Sequence, residues 1–131
     1  MTNLTPGPQR EVAFVGGREL RTIPKGWRHP DDPKRPNWYQ PLLPEQMPDV
    51  NGLPPEETEI AAYEAVSEGT PISPPFPNTP QGRVDLIAFC SVQCTAWGDK
   101  KAGPEAWVVI LFGEGAAITA DGVVIANDEP R

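Results

Sequence analysis

A chain of 131 residues is long enough to bury a single core without help from a metal or a disulfide, although only 38% of it is hydrophobic. Its 18 prolines and 12 glycines point to a compact core with long, stiff, irregular connections, and the clustered aromatic and aliphatic residues exclude a disordered chain. The net charge of −7 lacks the electrostatic footprint of a general DNA or RNA binder.

That charge is unevenly spread. Residues 1–40 carry seven Lys/Arg against four Asp/Glu, whereas residues 41–82 carry seven acids and no base. The basic third either meets an anionic partner or neutralises the acidic middle, and the second reading is favoured. Nothing at the N-terminus reads as a signal peptide, and no apolar run reaches transmembrane length. The expectation is a soluble protein in a reducing cytoplasm.

In chain order, residues 1–9 read as a flexible tail. Residues 10–23 hold two short β-compatible runs on either side of Gly16-Gly17, a hairpin signal. Residues 24–55 are too dense in proline for an ordinary helix. Trp27, Trp38, Tyr39, Leu42, Leu43 and Met47 punctuate this stretch, so it is expected to wrap across a core, pinned by its rings. A peptide presenting Pro and Trp to a partner would look similar, but a free loop of that length is unusual.

Pro55, Glu56, Glu57 and Glu59 then suit the positive end of a helix. Ile60, Tyr63 and Val66 supply an apolar stripe, and Gly69 reads as the left-handed cap that ends this helix. Thr79 and Pro80 open a second helix over residues 80–96, although Val84–Phe89 also reads as a buried strand. Residues 104–112 are ambiguous in the same way, since Gly103-Pro104-Glu105 favours a helix start and the β-branched run favours a strand. Residues 116–126 read as a hairpin turning at Asp121-Gly122, and 127–131 as tail. The predicted fold is a small single α+β domain over 10–126. It has N- and C-terminal β-hairpins, two or three short helices and the Pro-rich wrap.

Few residues offer chemistry. Cys90 and Cys94 lie one helical turn apart, but with a single histidine in the chain they cannot complete a four-ligand zinc site. Two small buried or half-buried structural thiols are the favoured reading. His29 is the sole imidazole, yet no nucleophile-elbow pattern or other catalytic context accompanies it, and no catalytic residue is assigned. The scattered acids lack the spacing of a calcium loop, so neither a metal nor a cofactor is expected. Ser67-Glu68-Gly69-Thr70 follows a predicted helix rather than preceding one, which is the wrong polarity for a phosphate loop.

Two candidate binding regions remain. Trp27, Arg28, His29, Arg35, Trp38 and Tyr39 form an aromatic-basic patch suited to stacking a base and holding a phosphate. Ser73, Asn78 and Thr79 precede a helix start, where free amides attract anions. The plainer alternatives are a proline–aromatic wrap and an ordinary N-cap.

Three stretches resemble small uncharacterised proteins of tailed bacteriophages and prophages. One runs Arg21-Thr22-Ile23-Pro24 to Trp27-Arg28-His29-Pro30, followed by Tyr39-Gln40-Pro41-Leu42. A second is Tyr63-Glu64 with Ser67-Glu68-Gly69-Thr70-Pro71-Ile72-Ser73-Pro74 and Phe76. The third is looser and joins Trp107 and Gly113 to the apolar residues 116–126. The resemblance covers about half of the chain and departs from the family between Gln81 and Ala102, where such proteins are more polar. It implies a phage origin and favours helix for 80–96 and 104–112, but it implies no activity. The functional expectation is a non-catalytic protein that binds in the host cytoplasm and antagonises a host process such as a defence system. It would do so by sequestering a nucleotide-like signal or masking a host protein. The alternative is a virion structural or assembly factor, for which self-association into a homo-oligomer is the expectation.

Overall fold

The computed structural model describes residues 17–65, 69–96, 100–120 and 122–125. The expected tails and the first run of the N-terminal hairpin lie outside them. The described elements are strands β1 (Arg18–Pro24), β2 (Thr58–Glu64), β3 (Thr70–Pro71) and β4 (Phe76–Pro77), helices α1 (Pro80–Gln93) and α2 (Pro104–Phe112), and strands β5 (Ala116–Thr119) and β6 (Gly122–Ile125). This is a small single-domain α+β fold.

The central strand overturns one expectation. Residues 58–64 form β2 rather than a helix, and only Pro55–Glu57 makes a single 3-10 turn. The sequence Thr-Glu-Ile-Ala-Ala-Tyr-Glu has no clean alternation because β2 is buried on both faces. Ile60, Ala61, Ala62 and Tyr63 are all at most 2% exposed. A strand covered on both sides reads as a continuous apolar run, which periodicity alone does not separate from a helix.

β1 pairs antiparallel with β2 along its whole length, from Arg18 opposite Glu64 to Pro24 opposite Thr58. The partner of β1 among the described residues is therefore a distant strand, joined to it by the Pro-rich segment. On its other edge β2 is flanked by two short strands. β3 pairs at Tyr63 and Glu64, and β4 at Glu59 and Ile60.

The two faces of this sheet differ. Ile60 and Ala62 point into the core with Leu86, Ile87 and Cys90 of α1 and Trp107, Val108 and Leu111 of α2. Burying such side chains is worth roughly 1.5–3 kcal/mol each. The residues alternating with them, Arg21, Ile23, Ala61 and Tyr63, face the other way and are also buried. The Pro-rich segment covers them, as expected of a wrap. Leu42 N donates to Gly69 O at 3.0 Å, Arg21 Nη1 donates to Leu42 O at 2.9 Å, and Lys25 N donates to Glu57 O at 2.9 Å. The layers run helices, sheet, wrap.

Both helices form where their punctuation places them. Thr79 Oγ1 accepts from Gly82 N at 3.0 Å as the N-cap of α1, and Gly113, at φ 100°, ends α2. β5 and β6 pair antiparallel, with Ala116 opposite Ile125 and Thr119 opposite Gly122. Gly122 is thus the first residue of β6, not the second residue of a turn.

Candidate functional site

The wrap does not lie flat on the sheet. It leaves a hollow of about 160 Å³ whose outer wall is Trp27, Arg28, His29 and Tyr39. The floor is Ile23, Ala61 and Tyr63, and Ser73 stands at one side with Pro71, Pro74 and Pro75.

The wall is fastened by backbone pairing within the loop. Asp32 N donates to Trp38 O at 2.7 Å and Gln40 N to Pro30 O at 3.0 Å, so residues 30–40 form a narrow excursion. His29 locks it to the sheet. Its Nε2 lies against Gln40 O and its Nδ1 is 2.9 Å from the Tyr63 hydroxyl. A carbonyl oxygen only accepts, so Nε2 carries the proton and Nδ1 accepts from Tyr63.

Electrostatics agree with that tautomer. Burial holds His29 below its usual pKa; the bond to Gln40 opposes this and the Arg21 charge adds to it. Burial pushes Tyr63 up to about 12, against the pull of Arg21, so Tyr63 keeps the proton it donates. The Arg21 guanidinium sits 4.6 Å from the centre of the Tyr63 ring. The rings of Trp27 and Tyr39 meet His29 edge-on, at 5.7 and 5.5 Å.

A second, wider hollow of about 520 Å³ adjoins the first. Arg35, Asn37, Trp38, Glu64 and Thr70 line it, together with Tyr39, which borders both. The Arg35 guanidinium stacks 4.8 Å from the centre of the Trp38 ring and also pairs with Asp32 at 3.2 Å. Contact with Lys34 N and with Arg35 holds the Asp32 carboxyl below its ordinary range, and Asp32 remains a stable partner.

The structure thus gathers Trp27, Arg28, His29, Tyr39 and Ser73 around one hollow, with Arg35 and Trp38 beside it. Asn78 and Thr79 line neither hollow. Asn78 is tied to Thr58 through Nδ2 at 3.1 Å, and Thr79 caps α1. Thr79 occupies the amides of Gly82 and Arg83, so the helix start offers little to a phosphate. Tyr63, Ala61 and Ile23 were missed as lining residues. Tyr63 carried a signal, an aromatic with a hydroxyl in an apolar run, that the helical reading absorbed.

The remaining candidate chemistry is structural. Cys90, on the last turn of α1, and Cys94, its C-cap, are free and buried, and Cys94 Sγ donates to Ile72 O at 3.2 Å. The contact with Cys94 and burial both raise the Cys90 thiol above its usual pKa. Among the described residues no group of three or more His, Cys, Asp or Glu side chains is placed to hold a metal ion. No helix among them is long and apolar enough to cross a membrane. Comparison with protein-family models, with curated proteins and with solved structures found no match to this chain.

Proposed function

We propose that this is a non-catalytic, phage-type protein that works by binding in the host cytoplasm, where it masks a host protein and so antagonises a host process such as defence. The observation that carries the non-catalytic part is the state of His29. Both ring nitrogens are spent on Tyr63 and Gln40. A general base needs a free nitrogen within reach of a substrate proton, and freeing one here would unfasten the wrap.

Binding is supported by the surface around the hollow. Trp38 is 58% exposed and Tyr39 47%. Exposed Trp and Tyr beside arginine are the residue types that dominate protein–protein hot spots. Masking a protein is favoured over sequestering a nucleotide because the first hollow is smaller than the roughly 300 Å³ at which ligand pockets begin, and the second, though about 520 Å³, carries the Glu64 carboxylate in its wall. The phage context rests on the sequence resemblance.

The test is affinity capture from phage-infected cells with wild-type protein and with Trp38→Ala, read by mass spectrometry. One host protein should be enriched by the wild type and lost with the variant. Recovery of the bait alone in both would overturn the reading.

A further inference from the structure

The hollow beneath the wrap has a size, a lining and a rim that together narrow what enters it. A cavity of about 150 Å³ accommodates a single benzene ring. The hollow here, about 160 Å³, therefore takes one ring or one branched aliphatic side chain and not a fused base with its sugar.

The lining selects against a polar ring. Ser73 Oγ accepts from Ala62 N at 2.9 Å and donates to Pro74 O at 2.9 Å. His29 has no free nitrogen, and the Tyr63 proton is committed to it. A pyrimidine entering this site would bury several donors and acceptors without partners, each costing more than a normal hydrogen bond returns. A hydrocarbon side chain loses nothing there and gains the faces and edges of Trp27, Tyr39 and Tyr63.

Arg28 lines the hollow and Arg35 the adjoining one, both within the basic stretch of an otherwise acidic molecule. Residues 24–40 carry Lys25, Arg28, Lys34 and Arg35 against Asp31 and Asp32. The acids at the two hollows are mostly spoken for: Glu59 by Arg28, Asp32 by Arg35, and Glu64 by Arg18 at 3.6 Å. Among the described residues, Lys25 and Lys34 enter no ion pair. Arg28 uses only Nη1, bonding Trp27 O and Glu59, and its side chain is 61% exposed. It keeps two nitrogens for a carboxylate from outside.

From volume, lining and charge together, we propose that the hollow is the anchor pocket for one phenylalanine or leucine side chain of an acidic segment of the partner protein. The ring or isobutyl group sits on Ala61 and Tyr63 between Trp27 and Tyr39. Carboxylates on either side of it in the partner meet Arg28, which lines the hollow, and Arg35, which lines the adjoining one. This deepens the protein-masking reading above and rests on it.

The test uses three fluorescent five-residue peptides, each with two aspartates on either side of a central phenylalanine, leucine or glycine, and uridine monophosphate as a competitor. The phenylalanine and leucine peptides should bind, the glycine peptide about thirty-fold more weakly or not at all. Binding should weaken with added salt, and more so for wild type than for Arg28→Gln. Ala61→Leu grows a side chain from the floor into the hollow, so it should lose the peptide while a thermal melt still shows a cooperative folded state, at a somewhat lower temperature. If that variant does not fold, Trp27→Ala opens the wall instead and should lose the peptide equally.

Equal binding of all three peptides, or binding untouched in the folded variant, overturns the proposal. Displacement by uridine monophosphate at a comparable concentration does so too. Capture of a host protein that survives Ala61→Leu while failing with Trp38→Ala overturns the anchor pocket alone. Absence of capture by any version overturns the wider reading.

Discussion

Gly69 has φ 63°, and a Cβ there would lie 2.2 Å from Leu42 O. The glycine was legible in the sequence as a left-handed residue, but its reason was not. It caps no helix; it lets Leu42 of the wrap sit against the turn leading into β3. Gly69→Val should lower stability by about 3 kcal/mol or more, from backbone strain plus displacement of the wrap, as a thermal melt would show. His29 offers a second prediction at this scale. Its folded pKa is below the ordinary 6.5, chiefly through burial. As pH falls through about 6.5 the unfolded chain therefore takes up the proton first. The contribution of His29 is complete above that value and declines below it, towards the folded pKa. Melting temperatures at pH 7.5 and 5.5 should fall further for wild type than for His29→Gln, which does not titrate. The pairing of His29 with Tyr63 was not legible, because 34 residues separate them.

The ends of helices α1 and α2 were marked by punctuation, Thr79-Pro80 at one start, Gly103-Pro104-Glu105 at the other and Gly113 at an end, although the apolar runs between them left helix and strand both open. Local chemistry decides such signals, so they survive without knowledge of the fold. Thr79→Ala should cost about 1 kcal/mol in chemical denaturation, with Thr79→Ser close to neutral. Gly82 carries a different demand. A Cβ on it would stand 1.8 Å from Pro77 O, so Gly82→Ala should push α1 off β4 and cost more than the lost cap. β2 was unreadable for a non-local reason. Its helix-like composition is overruled by a neighbour on each edge and a layer on each face, none of which the segment itself encodes. Its identity depends on β1 and the wrap arriving from elsewhere in the chain.

For the molecule as a whole, the sequence disclosed the fold class and the role of the Pro-rich stretch as a wrap, because aromatics among prolines need something to lie on. It also brought out Trp27 to Tyr39 as a patch. The floor of the site stayed hidden, since Ile23, Ala61 and Tyr63 read simply as core. Burial of both thiols in the helical layer gives a prediction about the whole fold. Cys90 and Cys94 should resist a thiol reagent such as Ellman's in native protein and react together once denaturant opens the core. Prompt labelling of either in native buffer would contradict the packing described.

The pairing of β1 with β2 has a further meaning for how such a protein changes over time. The outer wall of the hollow belongs to residues 25–57, the connection between two adjacent antiparallel strands. Apart from their seat on the sheet, these residues take no part in the helical core around Leu86 and Trp107. A mutation in the loop at a position that does not fasten the wrap can therefore alter which side chain the hollow admits while the helical core is left alone. A protein built this way could follow a changing target by exchanging one loop, keeping its scaffold fixed.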